Sequence, residues 1–140
     1  MKLRQSVFLV LLSSVSFLVS AEITVDNSWV AAPPPGSRVL AAYMNIENPD
    51  SSERRLVSVS SAQFAEVEIH NSTMKNGMMM MEPLSVIVIP ANGSVELSSG
   101  GLHMMLMDPV KYFKAGDTVE LKLNFEQGPA LNVQVPVKAR

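Results

Sequence analysis

Short alternating segments separated by turn residues fill the chain after residue 21, and they restrict it to β structure. Apolar residues recur at every second position, as at Val67 and Ile69, and no stretch shows the spacing of an amphipathic helix. Turn signals such as Asn76-Gly77 and Gly100-Gly101 separate the segments. We therefore predict an all-β single domain, a sandwich or a barrel, with strands at 23–30, 39–47, 56–60, 65–71, 78–82, 86–89, 94–98, 103–108, 118–126 and 131–138.

The first 21 residues have the pattern of a secretory signal peptide. Lys2 and Arg4 precede an apolar run at 7–19, and small residues lead to Ala21 as the cleavage position. The run is too short to span a bilayer, and no cysteine follows it that could take a lipid anchor. We therefore expect residues 1–21 to be removed, residues 22–140 to form one periplasmic domain, and the mature protein to have no membrane span.

The composition of the mature domain excludes several classes of function. The signal peptide holds two of the 11 Lys and Arg and none of the 13 Asp and Glu, so nine basic residues remain and the net charge is −4. A mildly acidic domain without a basic run is a poor binder of nucleic acid. The absence of cysteine excludes thiol nucleophiles, thiolate metal sites and disulfides.

Methionine is concentrated in one part of the chain. Eight of the ten methionines fall between Met74 and Met107, and the two histidines, His70 and His103, lie in or next to that stretch. A lone methionine in a strand usually fills a gap in the core, and a lone surface histidine usually has no special role. The joint clustering of both residue types therefore requires a further explanation.

Alternation and one hairpin indicate which of these side chains share a face. Asn76-Gly77 is a strong signal for a two-residue type I′ turn, and such a turn places His70 opposite Pro83. Met81 then lies one diagonal step from His70, on the face opposite to the one that Ile69 occupies. We predict the same for the second histidine, because His103 and Met105 alternate with apolar residues on the core side of their strand.

Two imidazoles and two thioethers have a narrow chemical meaning. Thioethers are soft, neutral ligands that bind Cu(I) well and bind zinc, magnesium or calcium poorly, and imidazole also suits copper. In the periplasm a pair of cysteines would be oxidised to a disulfide, whereas a thioether is not consumed in that way. We therefore predict a copper site at His70, Met81, His103 and Met105. We assign Met78, Met80 and Met104 to core packing and leave the roles of Met74, Met79 and Met107 open.

The spacing of these residues, His-x10-Met-x21-His-x-Met, resembles the signature of the periplasmic copper chaperones called PCu(A)C. The resemblance covers essentially the whole mature chain and includes Trp29, Pro34-Pro35-Gly36, Gly77-Met78-Met79-Met80-Met81, Gly100-Gly101-Leu102-His103-Met104-Met105 and Ala115-Gly116-Asp117. It implies a cupredoxin-like or immunoglobulin-like Greek-key β-sandwich with one Cu(I) at an exposed site. The ligands carried over by position are His70, Met81, His103 and Met105.

The resemblance also implies a function, namely delivery of copper to a cuproprotein. The expected acceptor is the dinuclear copper centre in subunit II of cytochrome c oxidase, with a Sco-type thiol protein as a possible further partner. The chain ends without the His- and Met-rich tail that some relatives have, so nothing in the sequence predicts a strong Cu(II) site.

Three other functions compete with copper delivery. An electron-transfer cupredoxin needs a cysteine thiolate, which the chain lacks. We expect no enzymatic activity, because the sequence contains neither a Gly-x-Ser-x-Gly elbow nor a His and carboxylate cluster for zinc hydrolysis. The serious alternative is a metal-free immunoglobulin-like module that binds protein partners through its methionine-rich patch.

Overall fold

The computed structural model describes residues 21–140, so the predicted signal peptide lies outside the described residues except for Ala21. No helix in this part of the chain is long and apolar enough to cross a membrane. The ten predicted strands are confirmed, and their ends shift by a few residues. They are β1 (Thr24–Ala31), β2 (Val39–Asn48), β3 (Arg54–Ser60), β4 (Phe64–Lys75), β5 (Met78–Leu84), β6 (Ile87–Ile89), β7 (Gly93–Leu97), β8 (Leu102–Pro109), β9 (Thr118–Phe125) and β10 (Leu131–Lys138).

The strands form two layers that are joined along one edge. The first sheet has the order β5-β4-β8-β2-β1, with β7 also paired to β2, and the second has the order β10-β9-β3-β6. A parallel pairing of β1 with β10, in which Val30 lies opposite Val137, connects the two sheets. The other strand pairs within residues 21–140 are antiparallel. The architecture is therefore the predicted all-β sandwich in a single domain.

The hydrophobic core lies between the sheets and takes one face of each. Leu40, Met104 and Leu106 from the first sheet are buried against a layer that includes Leu121 and Leu123 from the second. Removing each such side chain from water contributes about 1.5–3 kcal/mol to stability. Because successive side chains alternate, the intervening residues of β2, β4 and β8 point away from the core. We call the surface that they form the outer face of the first sheet.

The turn between β4 and β5 has the predicted geometry. Asn76 and Gly77 have φ angles of 51° and 76°, and both central residues of a type I′ turn need this positive region. The register then runs from Lys75 opposite Met78 to His70 opposite Pro83. The predicted pairing of the hairpin is confirmed, including the position of Met81 one diagonal step from His70.

The prediction that Met78 and Met80 pack in the core is wrong, whereas the same prediction for Met104 is confirmed. Met78 and Met80 do lie on the Ile69 side of the hairpin, but they are 66% and 39% exposed. The cause is that β4 continues to Lys75, and its hairpin with β5 extends beyond the part of the first sheet that the second sheet covers. Met104 lies in the middle of β8, under the second sheet, and is fully buried.

Candidate metal centre

The two histidines lie opposite each other on adjacent strands of the first sheet. β4 and β8 are antiparallel, and their register pairs His70 with His103 on the outer face. The centroids of the two imidazole rings are 5.9 Å apart, and the ring planes are inclined by 38°. His103 is buried and His70 is half-buried, although neither ring enters the core. The prediction that both histidines point away from the core is confirmed.

The two predicted sulfur ligands lie on the same face as the histidines. Met105 is two residues beyond His103 on β8 and pairs with Glu68 on β4. Met81 on β5 pairs with Ser72, which is two residues beyond His70 on β4. Diagonal neighbours of this kind lie within about 7–8 Å, which long side chains can bridge. The four predicted residues therefore occupy three neighbouring strands, β5, β4 and β8, on one face.

A groove on the outer face joins three of these four residues. Its lining includes His103, Met105, Met81 and Met79, together with the ring of Tyr43, and its volume is about 360 Å³. His70 does not line the groove. It lies on the neighbouring strand, directly opposite His103, which does line it. The groove is open to solvent on the side of Met81, which is more than half exposed, and is closed towards His103.

The hydrogen bonds of His103 define which ring nitrogen is free. Its Nδ1 lies 2.9 Å from the carbonyl oxygen of Gly101. Because a carbonyl oxygen can only accept, Nδ1 carries the proton and donates it in this bond. The same carbonyl also accepts the backbone N–H of Ser72, which fixes it between β4 and the start of β8. The lone pair of the neutral ring is therefore on Nε2.

His70 shows the complementary arrangement. Its Nε2 lies 2.6 Å from a carboxylate oxygen of Glu68, so Nε2–H donates and the lone pair of the neutral ring is on Nδ1. This Nδ1 is buried and has no hydrogen-bond partner among residues 21–140. A buried polar atom without a partner is costly to leave, so the nitrogen is suited to bind an electrophile such as a metal ion.

Both histidines are thus held as metal-binding histidines usually are. In such sites the ring nitrogen that does not bind the metal donates its N–H to a carboxylate or a backbone carbonyl. The sequence analysis did not single out Glu68 and Gly101 for these roles. The signal for Glu68 was present, because it precedes His70 by two residues and alternation places it on the same face. No local pattern pointed to the carbonyl of Gly101.

The four predicted ligands are neutral, and the nearest carboxylate on this face, that of Glu68, already accepts the Nε2–H of His70. Within residues 21–140, no group of three or more His, Cys, Asp or Glu side chains could hold a metal ion. The sulfur donors that lie beside His70 and His103 on this face are the thioethers of Met81 and Met105. Of the methionines left open, Met79 pairs with Met74 at the hairpin tip, and Met107 pairs with Val39 on the side of Met105 away from the histidines.

Residues 23–137 match the protein family described as "Putative lipoprotein LpqE-like". The chain belongs to the LpqE-like family. The chain is 33% identical over 117 residues to "Putative lipoprotein Lxx21020" of Leifsonia xyli subsp. xyli. This alignment covers 83% of the chain and 69% of that relative. The chain is also 29% identical over 98 residues to the uncharacterised protein RP573 of Rickettsia prowazekii, covering 69% of the chain and 54% of that relative.

Solved structures of PCuAC domains share the fold of the LpqE-like chain. The copper-bound PCuAC domain from PmoF2 has a TM-score of 0.73 at 26% identity and covers 86% of this chain and 96% of that one. The Cu(I) form of DR1885 from Deinococcus radiodurans has a TM-score of 0.65 at 31% identity, and the match covers 89% of this chain and 81% of that one. Apo-DR1885 has a TM-score of 0.65 at 29% identity, and the match covers 100% of this chain and 96% of that one. The predicted cupredoxin-like or immunoglobulin-like fold class is confirmed, and the LpqE-like chain is of the PCuAC type.

Proposed function

We propose that the protein is a copper chaperone that binds one Cu(I) through His70, Met81, His103 and Met105. The observation that carries this proposal is the pair of facing imidazoles, each of which already uses its N–H in a bond to the protein. Each ring thereby keeps one nitrogen lone pair, and the sheet face that carries both rings also carries Met105 and Met81. Cu(I) is the common biological ion that prefers this combination of ligands. We call these four residues the inner site.

The relatives support the same metal. A copper-bound PCuAC domain and the Cu(I) form of DR1885 share the fold at 26% and 31% identity. We extend copper binding from those proteins to this chain because its histidines and methionines lie together on one face. The relatives do not determine the acceptor.

The proposed mechanism is stepwise exchange of ligands at the mouth of the groove. Met81 lies on the open side and is the first ligand that an acceptor can replace, whereas His103 is buried and is the last. None of the four ligands is charged, so no ion pair has to be broken during release. An acceptor with thiolates is a better host for Cu(I), and this difference gives the transfer its direction.

We further propose that the protein acts in the periplasm after residues 1–21 have been removed. The description of its family and the name of its Leifsonia relative both contain the word lipoprotein, which refers to exported proteins. The acceptor that we propose is the dinuclear copper centre in subunit II of cytochrome c oxidase, with a Sco-type thiol protein as a second partner. Residues 22–140 are proposed to be the functional domain.

A titration with Cu(I) in the presence of a competing chelator tests the inner site. The wild-type domain should withdraw one equivalent, and a His103→Ala/Met105→Ala double variant should lose more than about 100-fold in affinity, beyond the usual cost of losing a supporting contact. The control is Met78→Leu/Met80→Leu, which removes two thioethers from the opposite face of the hairpin and should keep wild-type affinity.

Circular dichroism shows whether the double variant remains folded. If folded wild type and double variant compete equally for Cu(I), the inner site is wrong. If neither withdraws copper, the metal-free binding module becomes the better explanation, because the exposed methionines of the hairpin would then be a surface for protein contacts.

A further inference from the structure

Three methionines share one face at the tip of the β4–β5 hairpin. Met74 lies directly opposite Met79, and Met81 follows Met79 by two residues on β5, so alternation places all three on the outer face. Directly opposed residues have Cβ atoms about 4.5–5.5 Å apart, and diagonal neighbours such as Met74 and Met81 lie about 7–8 Å apart. Unbranched side chains with three rotatable bonds can converge across these distances. We call Met74, Met79 and Met81 the outer trio.

Packing does not account for the outer trio. Each of its side chains is more than half exposed, and none belongs to the buried core cluster. A contiguous patch of exposed apolar side chains on a protein surface commonly marks a site of interaction or ligand binding. Met79 and Met81 line the same groove as His103 and Met105 of the inner site, so the trio opens onto the path to that site.

The charges at the tip are directed away from the trio. Lys75 pairs with Met78 and Glu82 pairs with Asn71, and both pairs lie on the face opposite to the trio. The surface around the three sulfurs therefore presents thioethers and the hydroxyl of Ser72. The adjoining groove is also lined by one cation, Arg140, which comes from the end of the described chain and not from the hairpin. Such a surface attracts a soft monovalent ion and offers little to zinc, magnesium or calcium.

We propose that the outer trio is a second Cu(I) site, weaker than the inner site, at which the ion is captured and from which it is passed inwards. Met81 belongs to both sites, so the ion moves by replacing Met74 and Met79 with the imidazoles and Met105 while Met81 stays bound. The proposal rests on the proposed function, since it supplies the entry route for the same ion. It assigns a role to Met74 and Met79, which the sequence left open.

The test separates the outer trio from the inner site. Cu(I) is added to the His103→Ala/Met105→Ala variant, and the methionine methyl groups are observed in ¹H–¹³C spectra. We expect the methyl signals of the trio to shift and those of Met78 and Met80 to stay in place. Adding Met74→Leu/Met79→Leu to this variant should weaken the remaining Cu(I) binding by about tenfold or more, at least the loss that follows removal of a supporting contact at a metal site.

The matched control is Met78→Leu/Met80→Leu in the same background. It removes the same number of thioethers from the other face of the same hairpin and should leave the remaining binding unchanged. Static methyl signals of Met74 and Met79, or an equal effect of the control pair, would overturn the outer site. If the double variant does not fold, the same comparison is made in a His103→Gln/Met105→Leu variant, which removes the same two donors with side chains closer to the natural size and leaves Met81 free for the outer trio.

The two proposals can fail independently. If wild type and the His103→Ala/Met105→Ala variant compete equally for Cu(I), the inner site is rejected. The outer trio is tested separately, in protein that lacks the side chains of His103 and Met105. A wild-type domain that holds one Cu(I) tightly, together with a double variant in which Met74 and Met79 do not respond to Cu(I), keeps the proposed function and rejects only the outer site. A domain that binds no Cu(I) at all rejects both.

Discussion

The middle of β8 and the tip of the β4–β5 hairpin are both rich in methionine, but the two regions bury it differently. In β8, Met104 is fully buried under the second sheet, and its neighbour Met105 lies on the outer face with the histidines. At the hairpin tip, Met79 and Met80 alternate in the same way, yet both are exposed. Alternation decides which face a side chain takes, but a face becomes core only where a second layer covers it.

Oxidation should separate the two regions most strongly. Mild peroxide should convert the exposed methionines and Met105 to sulfoxides before it reaches Met104, because reaction requires access to the sulfur. We expect almost complete loss of Cu(I) binding with an unchanged far-UV circular dichroism spectrum. Peptide mass spectrometry identifies the oxidised residues, and chelator competition measures the binding. Full affinity in protein oxidised at Met81 and Met105 would argue against thioether ligands.

Truncating one methionine to alanine in each region should affect stability in the opposite order, with the larger loss at the buried position in β8. Met104→Ala leaves a cavity in the core and should lower the free energy of unfolding by about 2–5 kcal/mol. Met80→Ala removes the same atoms at the tip and should change the free energy of unfolding by less than about 0.5 kcal/mol. Urea denaturation of both variants measures the difference. Similar losses in the two variants would show that the tip contributes to the cooperative core after all.

The smallest expected effect concerns the hydrogen bond that orients His70 in the inner site. The methionine side chains of the hairpin tip have no orienting bond of this kind among residues 21–140. Glu68→Leu removes the acceptor that orients His70 and should lower Cu(I) affinity by about 10–100-fold. Glu68→Gln should recover much of this loss, because its amide oxygen can still accept the Nε2–H of His70. Chelator competition measures all three proteins.

Glu66→Leu is the matched control for that experiment. Glu66 is on the same strand and face, is exposed, and pairs with Met107 instead of a proposed ligand. It should leave Cu(I) affinity close to that of wild type. An equal loss in Glu66→Leu and Glu68→Leu would mean that the effect comes from the removed negative charge and not from the contact with His70.

Much of the fold was predictable because its signals are local. Alternation located all ten strands, and the preference of Asn76-Gly77 for positive φ fixed the register that brings Met81 near His70. The pairing of His70 with His103 was not predictable from these signals, because β4 and β8 are far apart in sequence and no turn links them. The sequence therefore predicted the strand faces of the four residues proposed as the inner site, but not the direct pairing of the two strands that carry the imidazoles.

Burial was the other quantity that local patterns could not supply. Met78 and Met104 have the same residue type and both lie on the core side of their strands by parity, yet only Met104 is covered. The difference depends on how far the second sheet extends, which is a property of the whole sandwich. The same holds for the groove at Met79 and Met81, whose walls come from β2, β4, β5 and β8, the turn before β8 and the end of the chain.

The extension of the β4–β5 hairpin beyond the second sheet also affects how the protein can change over generations. Residues at the tip are not needed to close the core, and most substitutions at such surface positions alter stability very little. Sulfur atoms can therefore be gained or lost there without selection against misfolding. Descendants of this chain can in this way come to hold their ion more tightly or more loosely while inheriting the same sandwich.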